Sequence, residues 1–204
     1  MVRIRESASI LRRNEGQFRA MSKSLLSREL ARVKYQHLHI DGFSWSEQFV
    51  GRNVDQVEQG VALFLVGGGA IVALWGTDTT GLDVHLTTTE DAESIDFPDV
   101  EANEIETDVS HISRWREVLG RPISTVGASW LATESGEEAL WSFRLTFEGS
   151  GSRTIALGEL RGEGVDESIE GSTDSLVVIH DESIARALPP FQASASAYGE
   201  DIAP

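Results

Sequence analysis

The sequence predicts an α+β protein dominated by antiparallel sheet, and three observations carry that expectation. Trp141, Phe143, Leu145 and Phe147 alternate with Ser142, Arg144 and Thr146, the period-two pattern of a strand with one buried and one wet face. Glycine-bearing segments flank it, SGEE at 135–138 and EGSGS at 148–152, so the neighbouring runs pair with it as a meander. Upstream, the apolar runs 61–66 and 70–75 enclose Gly67, Gly68 and Gly69, the pattern of a hairpin buried on both faces.

The remaining elements follow in chain order. Met21, Leu25, Leu26, Leu30 and Val33 recur at helical spacing, which predicts one amphipathic helix over 18–37 that packs on the sheet. His37-Leu38-His39-Ile40-Asp41 alternates as a short strand, and Leu82, Val84 and Leu86 make another after the triple-glycine hairpin. Residues 87–110 hold nine carboxylates and no Lys or Arg, which reads as an acidic linker or flap pinned at Ile95, Phe97, Val100, Ile105 and Val109. A short helix over 113–119 ends at Gly120, and Val126, Ala128 and Trp130 lead into the opening strand pair. The run 175–180 is a central strand, Asp181 caps a helical turn, and Pro189-Pro190 ends it. The expected organisation is a basic segment and helix over 1–37, a strand-rich half over 38–88, an acidic connector over 89–112, a second strand-rich half over 113–188 and a flexible tail over 189–204. All five tryptophans fall inside apolar patterns and are expected in the core.

A faint internal echo points to two related halves. Residues 45–57 and 115–126 both read Trp, apolar, Gly-Arg, Val or Ile, Val, and residues 64–74 (FLVGGGAIVAL) resemble 147–157 (FEGSGSRTIAL). The motifs WREVLGRPISTV, LTFEGSG, IALGE and DSLVVIHD also resemble those of a group of acidic bacterial proteins of uncharacterised function. The resemblance covers about a third of the chain. Because every motif is of structural type, it implies a shared fold and carries no activity.

Composition narrows the chemistry. The formal net charge is −16 with no cysteine, so disulfides, thiolate nucleophiles and Cys-type zinc or iron–sulfur sites are excluded. Residues 1–35 carry a net +6, which leaves −22 on the rest: a body that repels nucleic acid and anionic membranes and attracts basic partners. No apolar run approaches the length of a membrane span, and no signal-peptide pattern opens the chain, so the expectation is a cytoplasmic protein. The triple glycine lacks the G-K-[ST] of a phosphate loop, and the acidic connector lacks the D-x-[DN]-x-[DN]-G of a calcium loop. His37, His39 and Asp41 are the weak metal candidates. On a strand they share a face, as in hydrolases of the metallo-β-lactamase type, yet Gly42 stands where that pattern has its last histidine.

With no catalytic constellation and no cofactor motif, the sequence favours a non-enzymatic cytoplasmic interaction protein, immunity- or inhibitor-like, whose acidic surface meets a basic protein. Glu101, Glu104 and Glu106 are the expected contacts. The alternative is a small-molecule-binding or metal-dependent enzyme with its site between the two halves.

Overall fold

The computed structural model describes residues 15–38, 53–75, 82–87, 104–132, 138–161, 168–170, 175–188 and 196–202. The architecture is α+β and mainly antiparallel, built on two sheets, as the alternation patterns predict. Helix α1 (Glu15–Leu25) precedes β1 (Leu30–Leu38), β2 (Val54–Val57), β3 (Gly60–Leu65), β4 (Ala70–Trp75), β5 (Leu82–Thr87) and β6 (Glu104–Asp108). After the one-turn helix α2 (Ser113–Arg116) come β7 (Ile123–Ala132), β8 (Glu138–Phe147), β9 (Ser152–Leu157), and a small hairpin of β10 (Glu159–Arg161) and β11 (Ser168–Glu170). Strand β12 (Leu176–Ile179), helix α3 (Glu182–Ala187) and β13 (Glu200–Asp201) follow.

Three expectations change. The helix expected over 18–37 stops at Leu25, because Ser27 takes a left-handed backbone (φ 65°) and the chain leaves in a new direction. Beyond it Val33, Tyr35 and His37 are buried while Arg32 is exposed, so the apolar spacing read as helical belongs to two elements, a helix and a strand. The acidic connector is not linker throughout, since its end forms β6 against β1 and Val109 is fully buried. The tail is docked over 196–202, where β13 pairs with β7 and Ala197 is fully buried. Of the strand expected over 37–41, His37 and Leu38 belong to β1, and residues 39–41, like Trp45 and Gly51-Arg52, lie outside the described residues.

The first sheet has the order β5-β4-β3-β1-β6 and the second β2-β12-β9-β8-β7-β13. Reading β1 against β7, β3 against β8, β4 against β9, β5 against β12 and β6 against β13, the two share one connectivity, with β2 added to the second. The likeness extends to detail. Leu30 pairs with Leu65 and Ile123 with Phe147, each followed by a bulge before Arg32–Phe64 and Thr125–Thr146. Both hairpin turns close alike: Leu65 N donates to Gly69 O (2.9 Å) and Phe147 N to Gly151 O (3.4 Å). Ser27 and Gly120 (φ 68°) turn the chain the same way, and Arg28 and Arg121 each reach carbonyls of the following hairpin turn. The two units meet reciprocally, Ser27 N donating to Ile123 O (2.8 Å) and Gly120 N to Leu30 O (2.9 Å). This correspondence follows a different alignment from the sequence echo. Arg121 matches Arg28, Leu65 and not Phe64 matches Phe147, and Val57 and Val126 lie in non-equivalent strands.

Both sheets and α1 contribute to one core, with Val33, Tyr35, Leu63 and Ile71 from the first and Val126, Phe143, Leu145 and Val178 from the second. Phe18 of α1 meets Trp130 edge to face at 5.9 Å. Trp115, Trp130 and Trp141 are buried, as expected of them. Each such large side chain removed from water contributes roughly 1.5–3 kcal/mol, which is why a short α1 with one apolar face holds its place.

Candidate functional site

The interior of this core is not wholly apolar. In β2 the order Val54, Asp55, Gln56, Val57 puts Asp55 on the same side as the fully buried Val57, and Asp55 is itself fully buried. A buried carboxylate needs hydrogen-bond donors and a compensating charge. Three parts of the chain supply them. Tyr35 of β1 donates its hydroxyl to Asp55 Oδ2 (2.8 Å), His180 after β12 brings Nε2 to the same oxygen (2.8 Å), and Arg114 of α2 donates Nη2 to Oδ1 (2.7 Å). Trp115 Nε1 in turn donates to the Tyr35 hydroxyl (2.6 Å) and its ring packs edge to face on His180 at 5.5 Å. Arg153 of β9 lies beside the cluster, donating to the Arg114 carbonyl and reaching Glu117 at 3.5 Å.

The electrostatics follow from burial. Desolvation, with the Asp55 charge second, raises the Tyr35 pKa well above its ordinary value, so it remains a neutral donor. Desolvation lowers the His180 pKa, outweighing the raising effect of its bond to Asp55. The imidazole is therefore neutral at pH 7, and an Nε2–H facing the carboxylate leaves Nδ1 as a buried lone pair with no partner among the described residues. An aspartate–imidazole pair is a familiar part of acid–base sites. Here the histidine side chain is only 3% exposed and the pair is tied to Tyr35 and Arg114, so the arrangement fastens the first sheet, α2 and the second sheet together.

The residues singled out in the sequence fall elsewhere. His37 is buried on β1, its ring 6.2 Å from that of Tyr35, and desolvation lowers its pKa to about 3. His39 and Asp41 lie outside the described residues, and among the described residues no three His, Asp or Glu side chains gather as a metal site. Glu101 also lies outside them. Glu104 and Glu106 are on β6, an outer strand of the first sheet, paired with Leu38 and Gln36 of β1. Glu106 is exposed and ion-paired with Lys34, so the base absent from the connector is supplied by the neighbouring strand. Sequence reasoning missed Asp55, Tyr35, Arg114 and His180. The one signal was a carboxylate at an inward position of V-D-Q-V, visible only once β2 is known to be a strand.

Among the described residues no helix is long and apolar enough to cross a membrane. The described parts of the quoted motifs sit on structural elements, with WREVLG on α2 and the turn after it, LTFEGSG on the end of β8 and the β8–β9 turn, and residues 175–181 on and around β12. No protein family matches the chain, and no curated protein or solved structure is significantly similar to it.

Proposed function

We propose that this is a non-enzymatic cytoplasmic interaction protein whose acidic surface engages a basic protein partner, in the manner of an immunity or inhibitor protein. The observation that carries the reading is where the acid lies. Glu106 and Asp108 on β6 and Glu200 on β13 are exposed, and β6 and β13 hold the same outer position beside β1 and β7. With −22 outside residues 1–35, such a field raises encounter rates with a cationic protein and disfavours nucleic acid. Between the sheets both Asp55 oxygens are taken up by Tyr35, His180 and Arg114, which weighs against the alternative of a small-molecule or metal-dependent enzyme with its site there. The likeness to the acidic bacterial group belongs to the same reading, as a shared scaffold.

The test is kinetic. A partner captured from the native host should associate more slowly as salt shortens the Debye length from about 30 Å to about 8 Å, with dissociation changing less. Replacing Glu101, Glu104 and Glu106 together by Gln should lower the low-salt association rate. An unchanged rate, with only solubility reduced, removes these residues from the interface and leaves the acid a solubilising role.

A further inference from the structure

The outer face of the second sheet is polar where the matching face of the first is apolar. By ladder register, Ser142, Arg144 and Thr146 on β8 and Ser152 and Thr154 on β9 stand where Gly60, Ala62 and Phe64 on β3 and Ala70 and Val72 on β4 stand in the first sheet. There, Ala62, Phe64, Ala70 and Val72 form a compact apolar cluster, so the architecture itself asks for no arginine at that place. Arg144 is nevertheless only 2% exposed, a costly location for a guanidinium without dedicated partners.

Apart from Thr146 on its own strand, its partners come from the C-terminal segment 196–202. Arg144 donates Nε to Tyr198 O (3.1 Å) and Nη1 to Thr146 Oγ1 (3.0 Å), and its Nη2 pairs with Asp201 Oδ1. The Tyr198 ring receives two guanidinium groups, Arg144 at 3.7 Å and Arg186 of α3 at 3.5 Å. Ser142 Oγ donates to Ala197 O (2.6 Å), while Gly127 makes room, since a Cβ there would lie 2.4 Å from Arg144 Nη2. Backbone bonds add to these contacts, Ala197 N donating to Leu188 O (3.0 Å), Tyr198 N to Ala185 O (3.0 Å) and Ile202 N to Val126 O (2.9 Å). Only Ala197 in it is buried, Asp201 is 67% exposed, and β13 pairs with β7 at two residues. On the same sheet face Ser129 Oγ and Thr154 Oγ1 are buried and have no hydrogen-bond partner among the described residues. The segment leaves that capacity unused.

We propose that this arginine-centred face is a peptide-binding site which segment 196–202 fills as an internal substitute ligand. Its external ligand is an extended acidic segment of a partner chain, with an aromatic residue three positions before a carboxylate, as Tyr198 stands to Asp201. The ring enters between Arg144 and Arg186, the carboxylate takes Arg144 Nη2, and polar groups of the partner reach Ser129 and Thr154. This surface is separate from the acidic strand β6, although the segment that fills it carries Glu200.

The probe is a labelled peptide Ser-Ala-Tyr-Gly-Glu-Asp-Ile, the sequence of residues 196–202, titrated into the full chain and followed by fluorescence anisotropy. Moderate salt is needed to screen the repulsion from a chain of net charge −16. Asp201→Asn loosens the internal copy and should bind the peptide at least tenfold tighter than the unsubstituted protein. A peptide with Asn for its Asp should bind the same variant at least tenfold weaker, the scale of one charge-assisted hydrogen bond. Hydrogen exchange on the unsubstituted protein should show amides of 197–202 opening faster than those of β8. Absence of binding to folded Asp201→Asn, or affinity indifferent to the peptide's Tyr and Asp, overturns the proposal. So does protection of 197–202 equal to that of β8, which decides the matter even if the variant does not fold.

Discussion

Asp55→Asn is the sharpest probe of the interior. The substitution keeps the shape but replaces one acceptor oxygen by a donor and removes the charge that Arg114 meets at 2.7 Å. Whichever way the amide turns, either the Tyr35 and His180 donors at 2.8 Å or the Arg114 donor face an NH2 group. Breaking a buried ion pair by removing one partner costs about 3–5 kcal/mol. Arg114 is 16% exposed against 0% for Asp55, so water recovers part of the cost and the lower end, about 3 kcal/mol, is expected. Against a total stability of roughly 5–15 kcal/mol this is a large fraction. Urea unfolding followed by tryptophan fluorescence is the natural assay, because Trp115 is hydrogen-bonded into the cluster through Tyr35. With a slope of about 2–3 kcal/mol per M, the midpoint should fall by about 1–1.5 M. A loss below about 1 kcal/mol with an unchanged slope would show that the cluster is not the fastening between the sheets.

Three further outcomes are expected. His37, with its pKa lowered to about 3 in the folded chain against 6.5 in the unfolded, contributes stability that is complete above pH 6.5 and lost as pH falls towards 3. The slope approaches about 1.4 kcal/mol per pH unit, and His37→Gln should flatten it in denaturation series between pH 7 and pH 5. Ser27→Gly should raise stability and Gly120→Ser should lower it, each by about 1 kcal/mol, because both positions hold a left-handed backbone (φ 65° and 68°) that a Cβ disfavours. Thermal unfolding reads both. Gly127→Ala forces a Cβ to 2.4 Å from Arg144 Nη2 and should cost about 1–3 kcal/mol while speeding hydrogen exchange at 197–202.

Local pattern made the hairpins legible, because a meander is specified by alternation and by turns a few residues long. The β3–β4 and β8–β9 pairs stand where apolar runs flank glycine. Strand β1 was hidden because Leu25, Leu26, Leu30 and Val33 satisfy helical spacing by coincidence, and the residue that ends the helix is a serine in a conformation usually left to glycine. The Asp55 cluster was invisible for a different reason. The partners of Asp55 lie 20 to 125 residues away from it, and nothing local tells a strand that its aspartate faces inward towards Tyr35 and His180. The motif echo does not mark the likeness of the two sheets, since it sets Val57 beside Val126 and Phe64 beside Phe147, positions that the ladders do not match, while the matching Ser27 and Gly120 share a left-handed backbone and not a side-chain type.

Strand β2 has a consequence for the order of events during synthesis. Its partner on one side is β12, with Val57 opposite Leu176, so the two sequences leave the ribosome 119 residues apart. At about 5–20 residues per second that is a delay of roughly 6–24 s. For that interval Val54 and Val57, both buried in the finished protein, have no β12 to pair with. The first sheet can zip up from its own neighbours while the second stays unfinished, so this stretch is where a nascent chain most needs a chaperone, and where slow translation would expose it longest.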